Sequence, residues 1–289
     1  MIYDTPRALR DAPAKRLAFF GMSGLGKTHL ARILRAQGEW FHYSIDYRIG
    51  TAYMGEHIND NLKREAMAVP FLARLLRSDS IYLGANMSFD NLEPLSAYLG
   101  QPGDPARGGL PINVYRARQA LHVRAEVNAL LDTPAFVARA RELYGYAHFV
   151  CDTGGSICEV VDPDDPDDPV LRTLAAETLL VWIEGGAEHQ ATLVERFARA
   201  PKPMCYRPAF LDAAWDRWTA RPDVDPEAVD PLAFARYAYA DAIAEREPRY
   251  AAIARNWGVR VGADEVSAIR DAADVVEMAA AALARRGSP

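Results

Sequence analysis

A short apolar run, Leu17-Ala18-Phe19-Phe20, leads directly into Gly21-Met22-Ser23-Gly24-Leu25-Gly26-Lys27-Thr28, and Leu30, Ile33 and Leu34 then recur on one helical face up to Gly38. This order constrains the fold more than any other feature. The apolar run suits a buried strand. The glycines let the backbone reverse into a helix with successive N–H groups turned into one concavity. A strand feeding a helix in this way is the first step of a parallel sheet, so the expected class is α/β, a three-layer sandwich with helices on both faces of a mostly parallel sheet.

Gly21, Gly26, Lys27 and Thr28 match G-x-x-x-x-G-K-[ST], the phosphate-binding loop of nucleotide-triphosphate sites. Backbone N–H groups at a helix N-terminus suit phosphate oxygens. Lys27 reaches the β- and γ-phosphates in such a loop, and Thr28 holds Mg²⁺. Gly21, Met22, Ser23, Gly24, Leu25, Gly26, Lys27, Thr28 and His29 are therefore the expected nucleotide-contacting set. No Asn/Thr-Lys-x-Asp guanine-reading motif occurs, so ATP with Mg²⁺ is the expected nucleotide.

The remaining composition narrows the partners. A net charge of −6 argues against a nucleic-acid surface, which needs a basic stripe. Three cysteines, Cys151, Cys158 and Cys205, are too few and too widely spaced for a disulfide framework or a four-cysteine zinc site, and a reducing cytoplasm is expected. No apolar run approaches the roughly 18 residues of a membrane span, and the first residues lack an apolar stretch of signal-peptide length. Nothing in the residues speaks to oligomeric state. The length of 289 residues fits one large domain over 1–289. Within it, 78–146 is expected to be a helical insertion that caps a substrate. Asn113, Arg116 and Arg124 lie near one stripe of a helix expected over 112–131, with Arg118 on another face; such a stripe either binds an anion or faces solvent.

Further strands are expected over 40–45, 147–151, 178–183 and 258–261, with a weak strand or a turn at 81–84. Residues 162–169, acidic and punctuated by proline, are expected to form a solvated loop. One continuous helix is expected over 265–285. Acids stand at three strand ends: Asp46, Asp152 and Glu184. Ligands gather at the carboxyl ends of parallel strands. Asp152 follows His148-Phe149-Val150-Cys151, the pattern of a carboxylate that organises Mg²⁺, and Thr153-Gly154-Gly155 after it permits close backbone approach. Asp46 could accept a proton from an acceptor hydroxyl, with Arg48 clamping an anionic group; the alternative is a surface ion pair.

Together the loop, the run Ser44-Ile45-Asp46-Tyr47-Arg48 and Thr153-Gly154-Gly155 resemble the small-metabolite kinases of the P-loop class, such as shikimate and gluconate kinases. The resemblance covers about half the chain. It implies that Asp46 sits near the acceptor hydroxyl and that Gly154 and Gly155 touch the acceptor. Val181-Trp182-Ile183-Glu184, a following helix containing Arg196, and the segment through Phe210 resemble the strand, helix and lid of the gluconate type, which makes Lys202 and Arg207 lid candidates. The chain departs from these families in its 78–146 segment and in Ser156, where the shikimate type has a third glycine. The expected activity is phosphoryl transfer from Mg·ATP to a hydroxyl of a small molecule, with Lys27, Asp46, Arg48 and Asp152 as catalytic candidates. A regulatory ATPase acting on a protein or nucleic-acid partner is the alternative.

Overall fold

A computed structural model describes residues 1–286. The chain forms two compact units, one comprising 1–45, 126–201 and the residues from 236 on, the other 46–125 and 202–235.

The first unit is built on five strands: β1 (Arg16–Phe20), β2 (Trp40–Ser44), β3 (His148–Asp152), β4 (Leu179–Glu184) and β5 (Gly258–Gly262). They are parallel throughout, in the order β2-β3-β1-β4-β5. Leu17, Ala18, Phe19 and Phe20 are all buried, as are Leu179 to Ile183. Burial on both faces is what continuous apolar strands require, and helices supply the cover. β1 lies at the centre. The chain goes from β1 to the far strand β2, returns to β3 beside β1, and then crosses to β4 on the other side. The order of strands reverses there, so the crevice for a ligand lies beyond the carboxyl end of β1. The helix Lys27–Ala36 begins at that end and buries Leu30, Ala31 and Leu34, while Ile33 is half-buried.

Two elements of this unit differ from their sequence expectations. The acidic stretch before Pro169 is not simply solvated. Asp168 is buried and caps the helix Pro169–Glu177, accepting from the N–H groups of Val170 at 3.0 Å and Leu171 at 2.8 Å. Asp-Pro at the N-cap and first helical positions is a start signal, and the cap is worth about 1 kcal/mol. The helix expected over 265–285 is broken into Ala263–Ser267 and Ala272–Arg286, because Asp271 accepts from the Asp274 N–H at 2.9 Å and starts a new helix.

In the second unit, the helices Gly55–Met67, Pro70–Arg77, Glu93–Leu99 and Pro208–Thr219 pack with residues 112–125 of the helix Ile112–Leu131. Gln119 ties this unit together through its amide, which donates to the Met204 carbonyl and accepts from the Tyr206 N–H, both at 2.9 Å. Arg116 pairs with Asp212 at 2.8 Å. Residues 81–84 form no strand; the segment is pinned where the Ala85 N–H donates to Asn59 Oδ1 at 2.8 Å. The unit starts earlier than the expected 78–146 insertion, and 126–146 belong to the first unit. Among the described residues, no helix is long and apolar enough to cross a membrane.

Candidate active site

The turn after β1 is shaped by close packing. Gly21 has φ +131°, and a Cβ there would lie 2.6 Å from the Ile183 carbonyl oxygen of β4. Gly26, the N-cap of the helix Lys27–Ala36, has φ +102°, and its Cβ would meet Val266 Cγ1 at 2.7 Å. Only glycine fits either place without displacement. Gly26→Ala is expected to cost about 1–3 kcal/mol through strain and to deform the loop. Thermal denaturation and nucleotide titration of this variant check that; an unchanged midpoint and affinity would contradict it.

The helix start has no side-chain cap, so its leading N–H groups face the turn. Lys27 is buried, and its Nζ donates to the carbonyls of Gly21 at 2.8 Å and Met22 at 2.9 Å. The ammonium is thus held at the rim of the loop by the loop itself. Thr28 donates from Oγ1 to Asp152 Oδ2 at 2.7 Å. β1 and β3 are neighbours in register, with Phe19 opposite Asp152, which is what places this carboxylate beside the helix start. Asp152 is buried, and its Oδ1 accepts from the Gly154 N–H at 3.3 Å.

The Thr153-Gly154-Gly155 segment runs against the turn. A Cβ on Gly155 would stand 3.4 Å from the Ser23 backbone nitrogen. Thr153 is tied to β1, donating from both its N–H and its hydroxyl to the Phe19 carbonyl. Beyond it, Ser156 donates to both carboxylate oxygens of buried Glu126 at 2.8 Å. The helix Pro231–Trp257 holds the same segment from beneath. Arg246 Nε donates to Glu159 Oε1 at 2.6 Å, and Tyr250 donates its hydroxyl to the Gly155 carbonyl. Arg249 donates to the carbonyls of Cys158 at 2.7 Å and Val161 at 2.6 Å. Burial works against charge on Arg246, but the favourable charge of Glu159 beside it raises the guanidinium above its ordinary range. Burial pushes the Cys158 thiol up to about 12 and raises Cys151 well above its ordinary value, which makes both inert core thiols.

One residue at the turn was not assigned a role from the sequence. Arg196, on the helix Ala187–Arg199, places Nη1 3.7 Å from where a Cβ on Gly24 would stand. No carboxylate pairs with it among the described residues. The helical spacing of Leu193 and Arg196 was the available signal: Leu193 also packs against Gly24, so one face of the helix meets the turn.

The first unit therefore brings together Gly21 to His29, Asp152, Gly154 and Gly155. Asp46, Arg48, Lys202 and Arg207 belong to the second unit. Asp46 and Arg48 lie on the short helix Ile45–Arg48, with Arg48 over the Tyr53 ring at 5.2 Å from its centroid. Lys202 is exposed, and Arg207 is the N-cap residue of the helix Pro208–Thr219. Glu184, the third strand-end acid, is engaged with Arg260 at 3.3 Å. No protein-family model matches this chain, and no curated protein matches it in sequence.

Proposed function

We propose that the chain binds Mg·ATP at the turn of residues 21–28 and transfers the γ-phosphoryl group to a hydroxyl of a small-molecule acceptor. The observation that carries this reading is the 2.7 Å bond between Thr28 and Asp152. It joins a hydroxyl at a helix start to a carboxylate from the neighbouring strand, one residue past a buried lysine held at the loop rim. The oxygen donors of Thr28 and Asp152 fit a hard divalent ion, and the glycine-lined turn with uncapped N–H groups fits phosphate. Mg²⁺ bound there would neutralise charge on the phosphoryl group in transfer.

The protein's own groups then divide the work. Lys27 exchanges its two loop carbonyls for phosphate oxygens. Asp152, steadied by the Gly154 N–H, keeps Thr28 oriented. Arg196 supplies positive charge beside Gly24. Arg196→Ala is expected to lower turnover by about 10²–10³-fold with little change in nucleotide affinity. Steady-state rates and a nucleotide titration check it; full turnover would remove Arg196 from the mechanism.

The likeness of the run Ser44-Ile45-Asp46-Tyr47-Arg48 to the small-metabolite kinases supports a role for Asp46 and Arg48 toward the acceptor. In this proposal Asp46 accepts the proton of the acceptor hydroxyl and Arg48 holds its anionic group. Asp46→Asn is expected to lose phosphoryl transfer while keeping Mg·ATP affinity. Transfer at the normal rate in that variant would return Asp46 and Arg48 to a structural role.

The test of the function is the fate of the γ-phosphate. With γ-labelled ATP and fractionated metabolites, the label is expected in an organic phosphate ester. Release only as inorganic phosphate, unaffected by every fraction, would favour a regulatory ATPase instead.

A further inference from the structure

Within the second unit, a cleft of about 250 Å³ opens between the helices Gly55–Met67 and Ile112–Leu131. His57, Asp60 and Arg64 line one wall at spacings of three and four, so they share a helix face. Val114, Ala117, Arg118 and Leu121 line the other wall in the same way, and Tyr98 completes the cleft. The lining thus combines apolar groups with two arginines, one acid and one histidine.

Arg118 is the unusual member. Its guanidinium lies over the Tyr98 ring, 4.6 Å from the centroid. It donates to Asn61 Oδ1 at 2.8 Å and to the Tyr98 carbonyl. These partners orient the group, but both are neutral. Among the described residues, no carboxylate lies within ion-pair distance of Arg118 or of Arg64. The one acid lining the cleft, Asp60, pairs with Lys63 at 3.4 Å. Burial lowers the Arg118 pKa; Tyr98 beside it works the other way, and the nearby Arg64 charge lowers it again, against a weaker pull from Glu65. The fold therefore holds a half-buried cation, oriented by neutral partners, near a second cation. Two other arginines of the unit are paired with carboxylates, Arg107 with Asp230 at 2.6 Å and Arg116 with Asp212 at 2.8 Å.

We infer that this cleft binds a small oxyanion, a carboxylate or phosphate monoester carrying a short apolar body. Arg118 and Arg64 take the anionic head, since a planar guanidinium fixed in place suits two-point contact with an oxyanion. Val114, Ala117 and Leu121 line the body. The Tyr98 ring keeps Arg118 flat and oriented before the ligand arrives. The site stands apart from the nucleotide reading, and its test is built to keep the two separate.

The full chain carrying Lys27→Ala, which weakens phosphate binding at residues 21–28, is titrated calorimetrically with butyl phosphate and with butanoate. Saturable binding of at least one is expected, and whichever saturates names the head group. Introducing Arg64→Glu, at an exposed helix position, or Arg118→Met is expected to weaken it by about tenfold or more. Circular dichroism confirms folding; Arg64→Glu carries the test if Arg118→Met unfolds the unit. Absence of saturation by either probe in the millimolar range, or binding within about twofold of the parent in Arg64→Glu, overturns the proposal. Neither result bears on whether the unaltered chain binds Mg·ATP.

Discussion

Lys27→Ala is expected to lower ATP turnover by about 10³-fold while the fold persists. Nζ is a charged donor set into the rim of the turn, and it already sits 2.8 and 2.9 Å from two carbonyls of that turn. Truncation removes the group that would follow charge onto the transferring phosphoryl oxygens. The structural cost is small by comparison, about 1–2 kcal/mol for the two carbonyls that lose a donor. Turnover measured beside circular dichroism separates the two effects. A folded variant with normal turnover would exclude the loop from catalysis.

Arg246→Met is expected to be the most destabilising single change. Arg246 and Glu159 are both almost fully buried, with side-chain exposures of 2% and 4%, and lie 2.6 Å apart. Removing one partner strands the other charge in a dry interior, a loss of about 3–5 kcal/mol. For a unit of this size that lowers the melting midpoint by on the order of 10 °C. Glu159→Gln added to Arg246→Met is expected to recover a large part of the loss, because no uncompensated charge then remains. The effect reaches the site as well: Arg246 and Tyr250 both donate to the Gly155 carbonyl, and Gly155 lies against Ser23. A denaturation series on the two single variants and the double variant measures the coupling. Additive losses would mean that the pair does not act as one.

The central sheet was legible because its strands are apolar end to end. Leu17 to Phe20 and Leu179 to Ile183 sit between two layers of helix, so periodicity and burial say the same thing. The turn was legible because Gly21 to Thr28 form one short motif, although the groups its glycines pack against, Ile183 and Val266, lie far along the chain. Other features depended on contacts far along the chain. Arg246 and Glu159 are 87 residues apart, and nothing local marks either as half of a buried pair. Arg196 is one of several arginines at helical positions until the packing of Leu193 on Gly24 turns it toward the loop. The division into two units follows contacts that bring 202–235 beside 46–125, which a reading along the chain assigns to different parts. The break at Asp271 and the cap at Asp168 had local signals, an acid with a partner a few residues on, that apolar periodicity alone overrides.

The measurement that bears most directly on the central claim is a calorimetric titration of the full chain with ATP, with and without Mg²⁺. One saturable site per chain is expected, tighter with Mg²⁺ and weakened by about tenfold or more in Lys27→Ala and in Asp152→Ala. Absence of saturable binding, or an affinity that neither substitution changes, would contradict the assignment of residues 21–28 and Asp152 as a Mg-nucleotide site.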